Sequence, residues 1–186
     1  KQNLSSTFEY GHVLAKICTA LDVETVRGKL PINIELAGET VLTLAGNLRH
    51  PDMDINAIQR PSIRRSAQIA RAPLKHDESL FDRHKRSAIL NLRVEAELLI
   101  FIAQTGMNLS QAASLEKERY RWKSNGEDIE VFRVYKGRRN GDAIFRCFKV
   151  YKQHFERYLV WLDQTGFSEH DSRLFPILCR GFIRAK

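Results

Sequence analysis

The stretch SAILNLRVEAELLIFIAQTG, residues 87–106, decides how the chain is read. Apolar residues recur at Ile89, Leu90, Leu92, Val94, Ala96, Leu98, Leu99, Ile100, Phe101, Ile102 and Ala103. No Gly or Pro interrupts them before Gly106. Toward its C-terminal end the segment is apolar nearly all round, which marks a buried helix rather than a surface one. Gly106 stands where a left-handed residue commonly stops a helix. A short helix, LSQAASL (109–115), follows at once.

Beyond it the period changes. ERYRW (118–122) alternates and carries aromatics, as a strand does. Asn125-Gly126 is a strong hairpin turn. IEVFRVY (129–135) alternates again, KGRRNGD (136–142) is a basic turn, and AIFRCFK (143–149) reads as a third strand. The spacing predicts a three-stranded antiparallel meander. VYKQHFERYLVWLDQ (150–164) returns to a helix with Val150, Phe155, Tyr158, Leu159, Trp161 and Leu162 largely on one side. Gly166 ends it, and Leu174-Phe175-Pro176 lies downstream.

The N-terminal side is less regular. TFEYGHVLAKICTAL (7–21) has helical spacing. INIELAG (32–38) and TVLTLAG (40–46) fit strands or poor helices, and periodicity does not choose. The stretch around Pro51 reads as a loop. Pro61 and Pro73 flank one short basic helix, which Ser62 is placed to cap. Asp77 and Ser79 can start another. The class is therefore α+β, mainly helical with a three-stranded antiparallel sheet. The division falls between a helical and partly extended region, 1–75, and a second region, 76–186.

The 186 residues suffice for one core with an appendage. No window is long and apolar enough to span a bilayer, so no membrane partner is expected. The chain opens on Lys1 with no signal-peptide pattern, and it reads as a piece of something longer. Cys18, Cys147 and Cys179 lie far apart with no Cys-x-x-Cys, so no metal site is expected and a reducing, cytoplasmic setting fits best. The formal charge is +8. Residues 60–93 hold nine Lys or Arg against three Asp or Glu, a net of +6, so most of the excess sits in one segment. That favours a polyanionic partner.

The order of buried helix, Thr-Gly turn, short helix, three strands with a basic second turn, amphipathic helix and Leu-Phe-Pro resembles the opening half of a tyrosine recombinase (phage integrase) catalytic domain. The resemblance covers about residues 88–178. Family members typically read Thr-Gly-Leu-Arg-Ile-Ser-Glu-Leu at the helix junction. Here it is Thr105-Gly106-Met107-Asn108-Leu109-Ser110-Gln111-Ala112. The resemblance implies a DNA-binding piece of a site-specific recombinase acting in DNA integration, from a phage or another mobile element. It implies double-stranded DNA as partner, self-association on that DNA, and no cofactor. It places Lys136 at the catalytic lysine between the second and third strands, and Asn108 in the slot of the first catalytic arginine.

Asn108 is a departure. A guanidinium offers a fixed fork of donors and a permanent charge to a phosphate; an amide offers two donors and no charge. The family's His-x-x-Arg box and its nucleophilic tyrosine belong after Leu-Phe-Pro, where ten residues remain without a tyrosine. His154, Arg157 and Tyr158 imitate that box but sit on the preceding helix, with Tyr158 at a core position. Strand cleavage by this chain alone is therefore not expected. A relative that binds DNA or a partner recombinase without cutting, and a basic protein-interaction domain, stand as alternatives.

The DNA contacts expected beside Lys136 are Arg138 and Arg139 in the basic turn, Arg119 on the first strand sharing a face with Arg121, Arg64 and Arg65 in the basic helix, and Lys85 and Arg86 before the buried one. Phosphate contacts of this kind position a duplex without reading its sequence.

Overall fold

The computed structural model describes residues 7–45, 54–81, 86–125, 128–135 and 141–177. Two compact units divide it, with Lys1–Arg93 in the first and Val94–Ile177 in the second. The sequence pattern places the division after residue 75. The observed one falls inside a helix, because the head of that helix is bonded to the first unit through Arg86.

In the first unit, α1 spans Thr7–Ala20 and buries Ile17 and Cys18. Asp22 caps α2, Val23–Arg27, by accepting from the Thr25 N–H at 2.7 Å. The two ambiguous apolar runs are strands. β1 (Ile32–Leu36) pairs antiparallel with β2 (Glu39–Leu44), Ile32 opposite Leu44, with one irregularity between Ile34 and Glu35. Ile32 and Ile34 are buried while Asn33 and Glu35 are exposed, the period of two that a half-buried strand requires. Ala37 and Gly38 join the strands at φ 52° and 83°, both left-handed, the backbone that suits a two-residue hairpin.

A single 3-10 turn, Ile55–Ala57, leads to α3, Pro61–Arg71. Pro61 starts this helix, since its missing N–H has no partner to lose there. The cap position falls on Arg60, which makes no side-chain cap bond. Ser62 lies inside the first turn instead, and its carbonyl accepts from Ser66 Oγ at 3.0 Å. Among the described residues Asp77 and Ser79 start no helix; 76–81 is mostly turns and bends.

Helix α4 spans Ser87–Thr105, and its N-terminal part buries Ile89 and Leu90. In the second unit it continues with Val94, Ala96, Leu98 and Phe101 all buried. Gly106 ends it at φ 67°. Helix α5 is Leu109–Ala113. A 3-10 turn, Lys117–Arg119, precedes β3 (Tyr120–Asn125), which pairs antiparallel with β4 (Asp128–Tyr135), and β4 pairs with β5 (Gly141–Phe148). Helices α6 (Lys149–Thr165) and α7 (Phe167–His170) follow, separated by Gly166 at φ 81°.

Aromatic rings fill the core of the second unit. Phe101 of α4 lies 5.1 Å from Phe175 and 6.0 Å from Phe155. Tyr120 and Trp122 of β3 meet Phe155 edge-on at 5.4 and 5.1 Å. They point the same way because strand side chains alternate. Each such pair adds about 1 kcal/mol beyond area burial. The Leu174-Phe175 segment is buried beside them. Its backbone is fastened twice: the Leu174 N–H donates to the Leu115 carbonyl at 2.7 Å, and Tyr158 Oη donates to the Leu174 carbonyl at 2.9 Å.

Candidate nucleic-acid interface

Residues 60–76 hold five Lys or Arg and no Asp or Glu. Most of that segment is α3, and its two sides differ. Residues three and four apart share a helix face. Arg65 therefore sits among Pro61, Ser62, Gln68 and Ile69, and all five are exposed. On the other side Ala67 is buried, and Arg64, Ala70 and Arg71 are half-buried. Arg64 is committed inward: its Nε and Nη2 donate to the Ile58 carbonyl at 3.0 and 2.6 Å. The adjacent arginines thus differ, with Arg64 fixing the approach to α3 and Arg65 facing outward.

Arg86 is placed otherwise than a DNA contact. It is fully buried, at 0% exposure. Nε donates to the Val26 carbonyl at 2.5 Å and Nη1 to Ala70 at 3.2 Å. Nη2 donates to Gly28 at 2.7 Å and to Ala72 at 3.1 Å. One planar guanidinium therefore ties the end of α2 to the end of α3. Such orphan carbonyls at helix ends need donors when they are buried. The phosphate-contact expectation for Arg86 is corrected on this ground, since no duplex reaches a side chain enclosed by four carbonyls.

Arg27 reinforces the same junction. Its Nη1 donates to the carbonyls of Lys75 at 3.1 Å, His76 at 3.4 Å and Glu78 at 3.1 Å. The backbones also cross-link: Leu30 N–H to the Arg71 carbonyl at 3.0 Å, and Leu74 N–H to the Arg27 carbonyl at 2.8 Å. Helix α3 is consequently fastened by hydrogen bonds at its C-terminal end, while its Arg65 face is exposed. The β1–β2 hairpin of the same unit carries the opposite sign: residues 32–44 hold Glu35 and Glu39 and no Lys or Arg.

In the second unit Asn108 is the N-cap of α5. Its Oδ1 accepts from the Gln111 N–H at 2.8 Å. The side chain in the family's arginine slot thus has a structural task. Arg119 ends the 3-10 turn before β3 rather than lying on the strand, so the shared-face argument with Arg121 does not apply. Lys136, Arg138, Arg139 and Lys85 lie outside the described residues.

Two members of the imitation box, His154 and Tyr158, are engaged within the second unit. His154 Nε2 meets the buried Glu97 carboxylate at 2.6 Å. Tyr158 is buried at 1% exposure with its hydroxyl on Leu174. Neither is presented for attack on a phosphate.

A polar group unnoticed in the sequence fixes the chain near Leu174. Lys117 Nζ donates to Ser168 Oγ at 3.0 Å and to the Asp171 carbonyl at 3.2 Å, and Ser168 Oγ donates to Asp163. Arg173 grips Asp171 through Nε and Nη2, the latter at 2.6 Å. Burial holds the Lys117 ammonium below the ordinary lysine range, against the pull of Asp163 and Asp171. Burial alone would raise the Asp171 carboxyl. Hydrogen bonds from Arg173, and the charges of Arg173 and Lys117, outweigh it and hold that carboxyl low. On β3, burial and the nearby Glu156 push the Tyr120 phenol up to about 12.

No helix among the described residues is long and apolar enough to cross a membrane. No protein-family model, curated protein or solved structure matches the chain.

Proposed function

We propose that this chain is a double-stranded DNA-binding protein of the tyrosine recombinase type, and that it grips DNA without cutting it. The observation that carries the reading is α3: a basic helix without acidic residues, anchored at one end and exposed along its Arg65 face. Arg65 is exposed there and Arg60 is exposed at the N-cap, and a duplex backbone is a polyanion that such outward-facing cations suit. The ordered motifs from the buried helix to Leu174-Phe175-Pro176 supply the recombinase part of the proposal.

Asn108 favours the non-cutting form. It lacks the charge that stabilises a transition-state phosphate, and its amide oxygen is engaged in capping. In a full-length recombinase, Lys136 would act as proton donor or groove contact and the nucleophile would come from outside this chain.

Mixing the chain with labelled duplex DNA at rising salt tests the proposal. Affinity that falls steeply with salt supports it. No binding at low salt refutes it and leaves a protein-interaction domain.

A further inference from the structure

We infer that α3 is the helix that reads base edges in the major groove, through Arg65, Gln68 and Ile69; this rests on the DNA-binding reading above. Phosphate gripping alone does not account for the composition of the exposed face. Phosphates accept hydrogen bonds only, so they use guanidinium and ammonium groups but have no use for an isoleucine. Ile69 is nonetheless 51% exposed, one helical turn from Arg65. Gln68, its neighbour, is exposed too and offers both a donor and an acceptor.

Those three side chains match base edges. A guanidinium pairs with the two acceptors of guanine, a carboxamide with the acceptor and donor of adenine, and an apolar side chain with the thymine methyl. Arg65 and Gln68 are three apart and Arg65 and Ile69 four apart, so all three project from one stripe. The helix has 11 residues, and a helix of ordinary diameter fits the major groove. The Arg86 and Arg27 bonds hold the helix end so that the stripe keeps one orientation.

The test uses the full chain and a pool of duplexes with a randomised central segment. Bound duplexes are recovered, sequenced and compared with the input. The wild type is expected to enrich a defined sequence. Gln68→Ala and Ile69→Ala should each relax the preference at one position, by roughly ten-fold, while total binding to the pool at low salt is kept. Ile69→Leu should retain the preference. Arg65→Ala should lose a guanine preference as well as affinity. Circular dichroism checks that each variant is folded, which the exposed positions favour. A pool that binds but stays random overturns the inference and leaves the DNA-binding reading intact. Preference unchanged in both uncharged variants also overturns it, as does tighter binding to single-stranded RNA of matched composition. Absence of any duplex binding overturns both readings.

Discussion

Arg86 Nη2 donates to the Ala72 carbonyl at 3.1 Å, so a side chain at the head of α4 holds the C-cap of α3. The same nitrogen reaches Gly28 at 2.7 Å, across 58 residues of sequence. A solvent-facing arginine of the basic segment would have neither partner. The fully buried guanidinium makes the geometry of α3 a property of the fold.

Arg86→Met removes the donors and leaves four carbonyls, that of Val26 buried and the other three part-buried, without this partner. We expect a loss of at least about 3 kcal/mol of stability in urea unfolding. Arg86→Lys should recover only part of it, because an ammonium cannot reproduce the planar fork. A loss below about 1 kcal/mol for Arg86→Met would mean that water replaces the clamp.

Asn108→Ala should destabilise the protein by about 1 kcal/mol, the usual loss of an N-cap, and Asn108→Asp should be tolerated. Asn108→Arg should lose the cap as Ala does. Thermal or urea unfolding of the three variants reads the order directly. Equal stability of all three would show that Asn108 Oδ1 contributes nothing.

Tyr158→Phe should cost about 1 kcal/mol, the net value of its bond to the Leu174 carbonyl, and leave duplex affinity unchanged. Unfolding and anisotropy measurements on one preparation separate the two effects. A covalent protein–DNA adduct that disappears in Tyr158→Phe would contradict its packing role.

Tyr120 gives a pH dependence with a definite sign. Its folded pKa is raised to about 12 from the ordinary 10.0, so the folded state keeps its proton longer than the unfolded one. Stability from this group is complete below pH 10 and is lost as pH rises toward 12. Lys117 works the other way, because burial lowers its pKa and stability rises as pH climbs toward 10.5. Melting temperatures over that range should fall less steeply in Tyr120→Phe than in the wild type. Parallel curves would refute the assignment.

Local patterns are legible in the sequence where a single period or dihedral governs them. The apolar run ending at Thr105 marks α4 because nothing interrupts it, and Gly106 at φ 67° stops it. The runs around Ile32 and Leu44 are ambiguous because short apolar segments lack a decisive period; pairing and the left-handed Ala37-Gly38 turn settle them as strands. The clamp is not legible. Arg86 and Arg27 bind carbonyls that lie 14 to 60 residues away, and such side-chain-to-backbone bonds leave no periodic trace in sequence. Arg64 and Arg65 look alike as a pair, yet helix geometry turns one inward and the other out. Charge counting locates the segment but does not tell the two apart.

The central claim is that the outer face of α3 grips duplex DNA, and a salt titration of the charge-reversed helix tests it most directly. Anisotropy of a labelled duplex is followed at rising salt for the wild type and for Arg60→Glu with Arg65→Glu. The wild type should bind at low salt and weaken linearly in a log–log plot. The variant should bind at least about ten-fold more weakly, with a shallower slope, because fewer cations at the interface release fewer counterions. A folded variant with wild-type affinity and slope would contradict the account.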